Sequence, residues 1–278
     1  MEQRDVIFGF QEQWQAFQAR NDKFLSVYPN LEQALNIAFV REASFSKPEE
    51  RVVFALGRVC VEDFLEVLLL AGNGYGIGAQ KILRGLYERA VTMMFLSENP
   101  GDVAAFLNFH SVAQRRLLMA VQQTFGQDVV PKRDADRTES EYQAIKDNYM
   151  ITDCSNCGTK RLNHTWHNKL NLVAMAHKTP LGRLIVAGYY LPMGQTHSTV
   201  RSLLSRLEES DSGGLGFKPD AQPKEADMAL VTAHDIMLGV LETQKNYFKL
   251  GDLGQPLQTC LQDFLDVWSK DKRSNVAP

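Results

Sequence analysis

Residues 72–96 read GNGYGIGAQKILRGLYERAVTMMFL, and they limit the fold more than any other stretch. Glycines at 72, 74, 76 and 78 break the chain, and a strongly helical run follows them. That run places Arg84 and Glu88 four residues apart on one face, which continues into Val91 and Phe95. A charged pair on a stripe that turns apolar is expected to be at least partly buried. Arginine before glutamate is the less favourable order for an isolated helix, so helix stability alone does not account for the pair. Burial demands further partners for the guanidinium and the carboxylate. Those partners would have to come from another part of the chain.

Other segments show the same helical period. Phe10, Trp14, Phe17, Phe24, Leu25 and Tyr28 recur at three-and-four spacing, and Pro29 with Asn30 is expected to end that helix, leaving a shorter one over residues 31–40. Ser46, Lys47, Pro48 and Glu49 read as a capping box opening a helix that runs to about Leu70. Further helices are expected over residues 103–125, 139–149, 169–177, 181–190, 196–207, 225–248 and from Pro256 to Trp268. Residues 126–137 and 208–224 are expected to be connections. Nothing repeats at a fixed period, and no alternating strand pattern appears. The expected fold is all-α, a multi-helix bundle of roughly eight helices in one domain. Within it, residues 1–45 form an N-terminal helical extension, 46–248 the core bundle, and 249–278 a C-terminal helix and tail.

A net charge of -3 with interleaved acids and bases gives no field for nucleic acid or anionic lipid. The N-terminus has no apolar core or small-residue cleavage site, and the apolar run over residues 67–80 is shorter than the ~20 residues of a membrane span. Four cysteines in 278 residues do not form a disulfide framework. The expected setting is the cytoplasm. A homodimer is the commonest assembly for such a protein, and the sequence names no partner.

Three constellations could carry chemistry. Gly74, Gly76 and Ala79 match a loose dinucleotide fingerprint but lack the βαβ unit that gives it meaning, so a break between helices is the expected role. Cys154, Cys157, His164 and His167 have the ligand types of a tetrahedral, structural zinc site, against the ordinary reading of polar residues in an irregular loop. No other cofactor is implied. Glu62 and Glu66 share a helix face and are expected to be solvated. No nucleophile elbow or paired Glu-x-x-His motif occurs.

The run from Ala79 to Phe95 with Arg84 and Glu88, the Cys154/Cys157 loop ending at Trp166, and the stretch from Tyr189 to His197 together resemble the bacterial domain-of-unknown-function family 5677. That resemblance implies an all-helical protein with no established activity and points to Arg84, Glu88, Trp166, Tyr189 and His197. Where members often carry a serine, this chain has Met193, Gly194, Gln195 and Thr196. Arg161 and His167 also fit the loose R-x4-6-H pattern of HEPN ribonucleases, which cleave RNA without metal. Two functions are expected on these grounds: a non-catalytic binding or interaction module around a buried polar cluster, or a HEPN-like endonuclease.

Overall fold

The computed structural model describes residues 11–42, 44–153, 157–197, 199–209, 213–217 and 221–268. Among the described residues the fold is mostly helical, with two short hairpins. In chain order the helices are α1 Gln11–Arg20, α2 Asp22–Phe39, α3 Pro48–Gly72, α4 Gly76–Glu98, α5 Val103–Phe125 and α6 Lys132–Ile145. They continue as α7 Leu172–Ala176, α8 Leu191–Thr196, α9 Val200–Leu204, α10 Pro223–Phe248 and α11 Gly254–Trp268. Strand β1, Met150–Thr152, pairs antiparallel with β2, Lys160–Leu162; β3, Leu207–Glu209, pairs antiparallel with β4, Leu215–Phe217. Among the described residues no helix is long and apolar enough to cross a membrane.

The contacts divide the chain into two compact units, Met1–Ser97 with Ala176–Pro278, and Glu98–Met175. In the first, α3 and α10 form the central pair. Buried Val53, Cys60, Phe64 and Val67 of α3 and Leu230, Met237, Val240 and Leu241 of α10 show the three-and-four spacing that makes one helix face apolar. Gln244 crosses this core, its Nε2 donating to the Val53 carbonyl at 3.0 Å. Helix α11 packs on α2, where Asn30 donates to Asp263 at 2.9 Å.

The break between α3 and α4 is built from the glycines. Gly74 has φ +82°, a left-handed value that favours glycine. Gly76 brings the start of α4 against the start of α10, where Gln222 N–H donates to the Gly74 carbonyl and Ile77 N–H to Gln222 Oε1. These glycines serve helix–helix approach, with no dinucleotide unit around them.

Several boundaries differ from expectation. Helix α2 passes through Pro29 without stopping, because Leu31, Ala34, Leu35 and Ala38 beyond it are buried and their packing outweighs one lost backbone bond. The acid that caps α3 is Glu50, which accepts the N–H groups of Ser46 and Lys47 at 3.0 and 3.3 Å. Residues 132–137, expected as a connection, are helical: Pro131 precedes the first turn, and Asp134 pairs with Arg137 at 3.3 Å. The expected helix over 196–207 shrinks to α9, and part of the expected 208–224 loop is the β3–β4 hairpin.

The second unit pairs α5 with α6 over a small core of Val112, Tyr142 and Tyr149, with Phe109, Ile145 and Leu162 against it. Tyr149 donates its hydroxyl to the Ala105 carbonyl at 2.7 Å, and Arg116 donates to the Asn163 carbonyl at 2.7 Å. Both bonds tie the β1–β2 region to α5.

Candidate functional site

Helix α4 sets the first half of the site. Arg84 and Glu88, one turn apart, meet at 2.8 Å through Nε and Oε1, and their side chains are 20% and 39% exposed. The pair is therefore only partly buried. Thr92, a further turn along, donates its hydroxyl to the Glu88 carbonyl at 2.8 Å.

The second half arrives from residues 180–197. The chain enters as a short 3-10 turn over Pro180–Leu184, widens into a π-turn over Val186–Tyr190, and tightens into α8. A π-turn shifts the helical phase of the residues beyond it and is often found at functional sites. Gly188, within it, lies so close to the Tyr87 ring that a Cβ there would stand 2.5 Å from Cδ2. Tyr87 is fully buried and donates its hydroxyl to the Leu181 carbonyl at 3.0 Å. Burial, and to a lesser extent the neighbouring Tyr190, pushes its phenol up to about 12. This lock places the next residue, Tyr189, with its ring 5.2 Å from the Arg84 guanidinium carbon, within the range of a cation–π contact.

His197 follows α8 and completes the group. Its Nε2 lies 2.9 Å from Arg84 Nη1. Guanidinium has only donors, so Arg84 gives the hydrogen bond, Nε2 accepts it, and the neutral imidazole carries its proton on Nδ1. Its backbone is held by the next turn: the His197 carbonyl accepts Thr199 N–H at 2.8 Å. The Thr199 hydroxyl donates to the Gly194 carbonyl and accepts Ser202 N–H, capping α9. Arg84 is thus gripped by Glu88, His197 and the face of Tyr189, while the imidazole itself is exposed.

Trp166 belongs to the other unit, where its ring stands edge-on to Phe106 at 5.5 Å. The expected zinc ligands fare differently. Cys154 lies outside the described residues, and among the described residues no group of three or more His, Cys, Asp or Glu side chains could hold a metal. His167 Nδ1 accepts the backbone N–H groups of Lys169 and Leu170 at 3.1 and 3.0 Å, and its Nε2 faces Asp102 at 3.7 Å. An imidazole so engaged organises a turn. Arg161 sits on β2 and pairs with Asp153 at 2.6 Å, so the Arg161–His167 pattern lacks the helix a HEPN motif requires.

Sequence reasoning overlooked a second ion pair on α4. Asp63 of α3 is buried and meets Arg89 at 2.6 Å. Burial pushes the Asp63 carboxyl above its ordinary value, and Arg89 pulls against that rise. The signal was available: Asp63 falls among Cys60, Phe64 and Val67 on the apolar face, whereas Glu62 and Glu66 are exposed as expected.

A comparison with known proteins places the chain. A model described as a family of unknown function, DUF5677, matches residues 50–215. The chain belongs to that family. The match takes in every residue of the Arg84 cluster and ends before α10, whose packing completes the same unit. No curated protein and no solved structure matches the chain.

The exposure of Glu88 scales the stabilisation to be expected of the DUF5677 polar group. A fully buried pair broken on one side costs about 3–5 kcal/mol, but solvent screens Glu88. Glu88→Ala should therefore cost about 1 kcal/mol in urea denaturation. A loss near the fully buried figure would mean that Arg84 is sealed from water.

Proposed function

We propose that the chain is a non-catalytic binding module whose ligand or partner meets Arg84, His197 and Tyr189 from the solvent side. The observation that carries this reading is the Arg84–His197 hydrogen bond at an exposed imidazole. It occupies the lone pair that a general base would need and leaves further donors in the cluster: guanidinium N–H groups, His197 Nδ1–H and the Tyr189 hydroxyl. Such a set fits an acceptor-rich group such as a carboxylate or phosphate, for which a pre-positioned guanidinium is well suited. Glu88 offsets the charge of Arg84, so recognition rests on placed hydrogen bonds more than on long-range attraction.

Inorganic phosphate is the probe. Added at millimolar concentration, it should raise the melting midpoint of the wild-type chain and leave that of Arg84→Gln unchanged. Equal shifts in the two proteins would defeat the proposal. Native mass spectrometry of the purified chain would then show whether a small molecule travels with it.

The same bond favours a second reading in one respect, since it brings an arginine and a histidine together beside solvent, as metal-independent RNA cleavage requires. A phosphodiester drawing Arg84 away would release the His197 lone pair. Cleavage of labelled single-stranded RNA that disappears in His197→Ala would establish this reading; RNA left intact by the wild-type chain would dismiss it.

A further inference from the structure

We propose that the outer edge of β4 is a docking surface for a second copy of this chain. Between residues 200 and 217, five large apolar side chains stand in solvent: Val200, Leu203 and Leu204 of α9, and Leu215 and Phe217 of β4, at 53–75% exposure. On α9 the three occupy one face at i, i+3 and i+4. On the hairpin, the pairs Leu207↔Phe217 and Glu209↔Leu215 share one face, while Glu208 lies across Gly216 on the other. One face of β4 is thus apolar, and among the described residues its outer edge pairs with no strand.

Charge selects both the occupant and the edge. The free edge of β3 carries Glu208 and Glu209, so two β3 strands brought together would oppose carboxylates. The β4 sequence Leu215-Gly216-Phe217 carries no charge and no proline. It is also self-complementary: an antiparallel partner related by a two-fold axis through Gly216 sets Leu215 of one copy opposite Phe217 of the other, twice. Leu207 lengthens the same apolar strip from within each chain. Leu215 and Phe217 alone offer on the order of 250 Å² per copy, about a third of the roughly 800 Å² per partner in an ordinary interface. Backbone pairing and the polar rim would add to it, and a dissociation constant on the order of 1–10 μM is expected for an interface at the small end of the range.

Sedimentation equilibrium of the full chain tests this. The wild type should be a dimer at roughly 100 μM and dissociate on dilution. Leu215→Glu with Phe217→Glu should weaken association by about tenfold or more, because carboxylates would then face one another across the axis, with the melting midpoint unchanged. Gly216→Cys supplies an independent readout: mild oxidation should cross-link that variant beyond the level of the wild type treated alike. A wild-type monomer at roughly 100 μM would overturn the proposal, as would a dimer indifferent to the double substitution and uncross-linked at residue 216.

Discussion

Gly76→Val is expected to lower stability by about 3 kcal/mol, read as a drop in the urea midpoint at unchanged slope. A Cβ at residue 76 would lie 2.1 Å from the Gln222 carbonyl oxygen and 2.6 Å from the Ala226 nitrogen. Both atoms are backbone, so no side chain can swing aside. The starts of α4 and α10 would have to part, stretching the Gln222–Gly74 bond of 3.1 Å and the Gln80–Glu225 bond of 3.1 Å. Gly78, two residues on in the same helix, provides the contrast. There a Cβ would meet Tyr75 and Leu70 at ordinary distances of 3.5 Å and beyond. Gly78→Ala should stabilise by about 0.5–1 kcal/mol through the unfolded chain. Equal effects at the two positions would mean that the helix starts are not held together as described.

The second large effect is a dependence on pH. His234 of α10 is enclosed, accepting the Trp268 indole N–H at Nδ1 (3.1 Å) between the rings of Phe24 and Phe264. Burial pushes its pKa down to about 4, against a weaker upward pull from Asp235. Below pH ~6.5 the unfolded chain takes up a proton that the folded chain refuses until pH falls near 4. Stability associated with a neutral His234 is therefore full above pH ~6.5 and falls progressively to pH ~4, by about 3 kcal/mol in total. Carboxylates also contribute to acid unfolding, so the informative quantity is the difference between the wild type and His234→Gln, a variant that keeps an acceptor for Trp268. That difference should shift by about 3 kcal/mol against the wild type between pH ~7 and ~4. A difference independent of pH would show that His234 takes up its proton equally well in both states.

Much of this architecture is legible in the sequence, for a physical reason. Among the described residues, most of the helices of ten residues or more carry apolar stripes at the helical period, a local property; α6, whose one buried residue is Tyr142, does not. Spacing also marks Arg84 and Glu88, and the resemblance to DUF5677 points to Tyr189 and His197. The features that escape a sequence reading depend on distant partners. Pro29 is tolerated because α11 buries residues on either side of it, information that lies more than 200 residues away. The β-strands are three residues long, too short for any period to show. The π-turn leaves no compositional mark, yet it decides where the Tyr189 ring stands. Asp63 escapes notice because it and its neighbours Glu62 and Glu66 are alike in residue type and differ only in helical angle.

The division of the chain also sets an order of assembly during synthesis. Residues 98–175 form a unit of neighbours in sequence, able to close as soon as they emerge. The other unit leaves at Ser97 and resumes at Ala176, and its central contacts join α3 to α10 and α2 to α11. Until a ribosome has made those last two helices, α2 and α3 lack the partners that make most of their contacts. At translation rates of roughly 5–20 residues per second, that interval lasts on the order of ten seconds. Helices α2 and α3 are thus the stretch a chaperone would hold longest.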